Sequence, residues 1–170
     1  MGVVVRGLVS GDREAVFGIL RTSGVFTLEE VGVALELVDH AMANGVDGDY
    51  IAFTGVRDGN VCGYVCIGRT PMTASTWHLY WLCVGADAAG AGVGRVLAAH
   101  AEAFARDRGA ERFVLETSSQ PSYDSARRFY EDCGYRQVGR IKDFYKPNDD
   151  CLIYCKELVA GPSGSIRSAK

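Results

Sequence analysis

The chain has 170 residues, 48% of them hydrophobic and 23% charged, with a formal net charge of −3 at pH 7, enough for one domain with a filled core and too little for two full-sized ones. The mild acidity leaves no basic stripe for nucleic acid and no polybasic membrane segment, and leans instead toward a cationic small molecule or peptide amine as ligand. No apolar run approaches the roughly 20 residues that span a bilayer, and no charged, apolar and small-residue leader opens the sequence, so a cytoplasmic protein is expected.

In chain order, the β-branched run Val3-Val4-Val5-Arg6-Gly7 predicts a first strand. Ser10-Gly11-Asp12 offers a helix start, Ala15, Val16, Ile19 and Leu20 give that helix one apolar face, and Gly24 stops it. A second helix opens at Thr27-Leu28-Glu29-Glu30, a capping-box pattern in which Thr27 bonds forward and Glu30 reaches back. Its apolar positions Val31, Ala34, Leu35 and Val38 recur at helical spacing, and Asn44-Gly45 ends it. Neither helix demands chemistry. From Tyr50 the period becomes two: residues 50–57 and 61–69 flank Asp58-Gly59-Asn60, a strong hairpin signal, and a third strand follows over 76–84.

That strand runs into Gly85-Ala86-Asp87-Ala88-Ala89-Gly90-Ala91-Gly92-Val93-Gly94-Arg95, a glycine-rich bend that opens an alanine-rich helix. Glycines at 90, 92 and 94 let backbone approach a ligand, and the unpaired N–H groups of a first helical turn point at whatever sits there, so the stretch reads as an anion site suited to phosphate or pyrophosphate. A turn that merely fits helix to sheet is the plainer reading. The spacing G-x-G-x-G is not the dinucleotide G-x-G-x-x-G, and the Gly-Lys-Ser/Thr of a P-loop is absent.

After the helix, residues 112–117 predict a buried parallel strand, Ser118-Ser119-Gln120-Pro121 a turn, and residues 123–133 a helix closed by Gly134. Residues 135–141 and 151–158 predict a last hairpin around a polar, aromatic loop over 142–150, and residues 159–170 a flexible tail. The six cysteines contain no C-x-x-C pair; Cys62/Cys66 and Cys151/Cys155 each recur at four residues within strands, which predicts small core hydrophobes sharing a face rather than zinc ligands or disulfides. No metal is expected.

The glycine stretch resembles the acyl-CoA pyrophosphate loop of the GNAT superfamily of N-acetyltransferases, Val-x-x-x-x-Gln/Arg-Gly-x-Gly-Ile/Val-Gly. Val84, Gly90, Gly92, Val93 and Gly94 fall on that pattern, while Ala89 stands at the Gln/Arg place and Ala86 at the usual proline. Ser125-Ala126-Arg127-Arg128-Phe129-Tyr130-Glu131-Asp132-Cys133-Gly134-Tyr135 is similar to the superfamily's second signature, Ala-x-x-Phe/Leu-Tyr-x-x-x-Gly-Phe/Tyr. The predicted order β-α-α-β-β-β-α-β-α-β-β is the order this fold uses. The expectation is therefore an α/β (α+β) protein with one domain over 1–158, a mixed sheet with an antiparallel N-terminal part, and two central parallel strands that splay apart.

The resemblance implies acetyl-CoA as acyl donor and a primary amine as acceptor, in a ternary complex without a covalent enzyme intermediate. It places the diphosphate on the backbone of Ala89, Gly90, Ala91, Gly92, Val93, Gly94 and Arg95, and pairs the pantetheine arm with Leu82, Cys83 and Val84 as a surrogate strand. Tyr130 occupies the motif position that donates a proton to the departing sulfur. His78 falls where some members carry a catalytic glutamate; Glu116 and a water chain are its rivals as base. Counting from Val84 at period two, Leu82, Tyr80 and His78 share one face. Asp143, Tyr145 and Asp149, with Phe144 and Asp150, would suit a cationic acceptor beside an aromatic surface, although a solvated hairpin loop explains them equally. A non-catalytic acyl-CoA-binding domain is the alternative from another class, and a homodimer is compatible with either. A nucleotide-dependent oxidoreductase comes third, because Glu116 follows the glycines at about the distance of a ribose-binding acid.

Overall fold

Apolar residues pointing both ways out of seven strands give a sheet that needs cover on two sides, and the helices supply it. The computed structural model describes residues 2–158, so the tail expected over 159–170 lies outside the described residues. The elements are β1 (Val4–Gly7), α1 (Arg13–Thr22), α2 (Leu28–Asn44), β2 (Ile51–Arg57), β3 (Asn60–Arg69), β4 (Thr76–Val84), α3 (Val93–Arg106), β5 (Arg112–Ser118), α4 (Asp124–Asp132), β6 (Arg136–Lys146) and β7 (Asp149–Glu157). They form one sheet in the order β1-β2-β3-β4-β5-β7-β6, parallel between β4 and β5 and antiparallel in the other pairs. The expected order holds element for element.

On one face α3 lays Val93, Leu97, Ala101 and Ala105, spaced one turn apart and each buried, over Phe53, Val65, Ile67, Trp77, Leu79, Phe113 and Leu115. On the other, Val16, Ile19 and Leu20 of α1 and Val31, Ala34, Val38 and Ala41 of α2 cover Ala52, Tyr64, Cys66 and Cys83. The start of α2 follows its sequence signal: the Thr27 amide donates to Glu30 Oε2 (2.7 Å) and the Glu30 amide to Thr27 Oγ1 (3.2 Å), closing the capping box.

Three expectations change. Cys62 and Cys66 lie on opposite faces, because the β2–β3 register slips between Gly55 and Val56, and the extra residue turns Cys62 toward α3 while Cys66 stays under α1 and α2. A second bulge sits in β4, where Cys66 opposes Trp81 and Ile67 opposes Leu79, leaving Tyr80 without a partner. Consequently His78 and Tyr80 stack together on the α1/α2 side (4.6 Å), and Leu82 faces the α3 side instead of joining them. Last, the polar loop over 142–150 is mostly strand: β6 and β7 continue to Lys146 and Asp149 around a tight turn at Asn148, whose φ is +63°. Edge strand β6 is solvent-facing along most of its length, so its polar composition is that of an outer strand.

Candidate functional site

The pairing of β4 with β5 covers only Thr76↔Arg112, Trp77↔Phe113 and His78↔Val114; beyond it the two strands run to Val84 and Ser118 without a shared ladder. Which backbone groups this leaves open follows from register. The Gly85 amide donates to the Cys62 carbonyl (2.9 Å), and Cys83 lies opposite Tyr64. Bonded positions alternate along an antiparallel ladder, so Cys83 turns its amide and carbonyl to β3, while Leu82 and Val84 turn theirs into the gap. Of the expected trio Leu82, Cys83 and Val84, the outer two present their backbone to the gap and Cys83 does not. On β5 the Ser119 amide donates to the Asp150 carbonyl and the Leu158 amide to the Glu111 carbonyl, and the same alternation directs the backbone of Glu116 and Ser118 into the gap.

At the end of β4 the chain makes one 3₁₀ turn, Ala86–Ala88, and reaches α3 through Gly90 and Gly92, whose φ values are +76° and +78°. Both are backbone states that favour glycine. The Ala89 and Ala91 amides are committed to the carbonyls of Ala86 and Ala88 (3.2 Å each), which corrects the expectation that every amide from Ala89 to Arg95 is available. The first helical bond is Val96 N–H to the Gly92 carbonyl (3.2 Å), and the amides of Gly90, Gly92, Val93, Gly94 and Arg95 have no protein acceptor among the described residues. They form a cup at the positive end of α3, adding the helix dipole to their own. Gly94 has another role. A Cβ there would lie 3.1 Å from Phe129 Cε2 and 3.6 Å from Val84 Cγ2, so its small size lets α3 and α4 approach. The Arg95 guanidinium turns away from the cup to Asp132 (3.2 Å) in an exposed ion pair.

Beside the cup lies α4, packed on α3 at Gly94. Tyr130 is 9% exposed, its ring edge-on to Phe129 and Tyr135 (5.3 and 5.7 Å). Burial pushes its phenol well above the ordinary value, and the Cys133 and Cys83 thiols add to the effect; its hydroxyl has no hydrogen-bond partner among the described residues. The same burial lifts the Cys83 thiol to about 11, so this sulfur is an inert neighbour. At the far end of α4, Tyr135 Oη donates to Glu102 Oε1 (3.1 Å) and Lys156 Nζ to Glu102 Oε2 (2.6 Å), locking the turn after α4 onto α3 and β7.

The α1/α2 side of the gap is aromatic and acidic. His78 sits on the last paired rung, stacked on Tyr80, which meets Tyr50 edge-on at 5.0 Å. Burial lowers the His78 pKa, and the exposed Glu116 carboxylate raises it in partial compensation. Glu116 also acts on Tyr80, Tyr145 and Cys151. The three expected acceptor residues divide. Tyr145 stands beside Cys151 near Glu116. Asp149 is buried and accepts a hydrogen bond from the Ser118 hydroxyl at the end of β5. Asp143 is drawn into the hairpin itself: its Oδ1 accepts from the Asn148 amide (2.7 Å) and its own amide donates to Asp150 Oδ1 (2.8 Å). Asp150 is likewise structural, its carboxyl held low by the Asp143 amide and the Arg140 guanidinium. Sequence reading missed Tyr123, whose hydroxyl reaches Glu30 Oε1 (3.4 Å) and whose phenol burial and Glu30 push up to about 12. Glu30 was legible only as a helix cap.

Two parallel strands that part, a glycine loop opening the crossover helix beside them, and a second helix across their ends define the class of acyltransferases built on the GNAT fold. The chain belongs to the acetyltransferase (GNAT) family, whose sequence profile matches residues 24–135. A crystal structure described as a GNAT-family acetyltransferase, from Desulfovibrio desulfuricans, is 36% identical, with a TM-score of 0.87 over 92% of this chain and 99% of that one. The fold alone is shared with the ribosomal-protein-S18-alanine N-acetyltransferase of Escherichia coli (19% identity, TM-score 0.73, 95% and 98% covered). It is shared equally with the PaiA N-acetyltransferase of Thermoplasma acidophilum, solved with coenzyme A (18% identity, TM-score 0.71, 93% and 100% covered). No curated protein sequence matches the chain. Family membership replaces the oxidoreductase reading of the glycine loop and Glu116.

Proposed function

We propose that the protein transfers an acetyl group from acetyl-CoA to a primary amine of a small molecule or peptide by direct attack in a ternary complex. The observation that carries this reading is the continuity of unpaired backbone, from Leu82, Val84 and Glu116 in the gap to the free amides of Gly90, Gly92, Val93, Gly94 and Arg95. The gap takes the pantetheine arm and the cup takes the diphosphate. An amide facing the gap then meets charge as it develops on the thioester oxygen. As the amine nitrogen bonds to the carbonyl carbon, the carbon–sulfur bond breaks, the sulfur leaves with a proton from Tyr130, and the ammonium proton leaves by the opposite side.

The acid and the candidate bases lie on opposite faces of the sheet, Tyr130 with α3 and His78 stacked on Tyr80 under α1 and α2, so they do not exchange their proton directly. The last paired rung is His78↔Val114, and Glu116 lies two residues beyond it along β5. At about 3.3 Å per residue it lies roughly 7 Å nearer than His78 to the level of Leu82, so a proton from an amine at that level reaches His78 through bridging water. The side of the gap that holds Tyr80, Tyr145, Glu116, Asp149 and Glu30 suits a cationic acceptor.

A panel of primary amines offered with acetyl-CoA, with free thiol release followed, tests the proposal. Release that depends on the amine supports it. Tight coenzyme A binding with no release for any amine would leave an acyl-CoA-binding domain in its place.

The lowered His78 pKa gives a pH prediction. A neutral imidazole is the basic form, and burial keeps it neutral below the free value of 6.5. The acid limb of kcat/KM is therefore expected below pH 6.5, and His78→Asn is expected to abolish it. A limb unchanged in that variant moves the base role to Glu116. Stability follows the same sign: below pH 6.5 the unfolded chain binds this proton more readily than the folded one, so acid weakens the fold through His78.

A further inference from the structure

The gap between β4 and β5 contains backbone groups that two adjacent parallel strands would normally satisfy on each other. Something must hold them apart, and α4 is placed to do so. Toward β4, Phe129 packs against Gly94 of α3, whose other neighbour is Val84 at the end of β4. Toward β5, the Arg127 guanidinium, mostly buried, donates through Nη1 to the carbonyls of Ser118 and Gln120 and through Nη2 to Asp124 of its own helix. Ser118 is the last residue of β5, and its carbonyl is one of those that alternation directs into the gap. Its hydroxyl is engaged as well, donating to Asp149 of β7 and accepting from the Gln120 amide (3.0 Å). The end of β5 is thus tied to β7 on one side and to α4 on the other, with no bond to β4.

We infer that Arg127 is a positioning residue: by occupying the Ser118 carbonyl and tying β5 to α4, it sets the width of the gap into which the pantetheine arm of coenzyme A enters. The inference rests on the acetyl-CoA reading above. It has a consequence that general support of the fold would not have. The cup at the start of α3 receives none of these bonds, so loss of Arg127 weakens ligands that carry the pantetheine arm and spares those that bind through phosphates alone. A lysine in its place donates from a single nitrogen and cannot fork across two carbonyls and a carboxylate.

The test compares coenzyme A with adenosine 3′-phosphate 5′-diphosphate, which keeps the diphosphate and lacks the arm, by calorimetry on the full chain and on Arg127→Met and Arg127→Lys. The expected result is a Kd for coenzyme A raised about tenfold or more in Arg127→Met, a smaller rise in Arg127→Lys, and a Kd for the arm-free nucleotide within about twofold of the parent in both. If Arg127→Met does not fold, Arg127→Lys is read by the same ratio. Equal weakening of both ligands, or unchanged coenzyme A affinity, overturns the inference. Failure of the parent chain to bind coenzyme A overturns the acetyl-CoA reading itself, and this positioning role with it.

Discussion

Gly92→Val is expected to weaken acetyl-CoA binding at least a hundredfold while lowering the melting temperature only modestly. Gly92 caps α3 with φ +78° and ψ 1°, in the left-handed region. An L residue there costs roughly 1–2 kcal/mol, and a β-branched one is a genuine outlier. A Cβ would meet nothing within 4 Å, so the obstacle is dihedral rather than steric. The chain relieves it by leaving the left-handed state, which reorients the Val93 and Gly94 amides that form the cup. Losing several charge-assisted donors at about 1.5–3 kcal/mol each accounts for a loss of the predicted size. Gly94→Ala serves as the contrast. Its Cβ would press on Phe129 at 3.1 Å, an overpacking of about 1–3 kcal/mol that falls on stability first. Calorimetric titration with acetyl-CoA and a thermal melt on each variant separate the two cases. Undiminished affinity in Gly92→Val would remove the cup as the diphosphate site.

The elements readable in the sequence were those whose cause is local. Thr27 and Glu30 form a capping box with only each other and the backbone. Asp58 and Gly59 take positive φ because a two-residue hairpin turn demands it. Gly90 and Gly92 likewise declare a backbone state. What stayed hidden depends on partners far away in the chain. The bulge at Tyr80 exists only against β3, and without it His78, Tyr80 and Leu82 would share a face as strict alternation requires. Gly94 has the same residue type as Gly92, yet its reason is a ring thirty-five positions later. The hairpin over 142–150 was hidden for a different reason. A strand at a sheet edge meets water on one margin and on most of its surface, so its composition imitates a loop. In the site itself, the cup and Tyr130 were legible as motif positions, whereas the link from Ser118 to Arg127 required knowing which carbonyls the β5–β7 register leaves over.

Tyr130→Phe is expected to lower kcat by about a hundredfold to a thousandfold with acetyl-CoA affinity within about threefold of the parent, and to change the melting temperature little. Little change in stability is expected because the hydroxyl makes no hydrogen bond to the protein among the described residues and is not one of the buried polar atoms sealed from solvent. Phenylalanine keeps the edge-on contacts with Phe129 and Tyr135. A protonated phenol near Cys83, at the open end of the gap, can protonate the departing sulfur. Its raised pKa serves that role, because the proton stays in place at every working pH, and Tyr130 itself should produce no fall in kcat below the ordinary phenol value of 10. Steady-state kinetics with a reactive amine, binding of acetyl-CoA and a thermal melt together test the argument. Turnover equal to the parent would strip Tyr130 of the acid role and leave it as core packing alone.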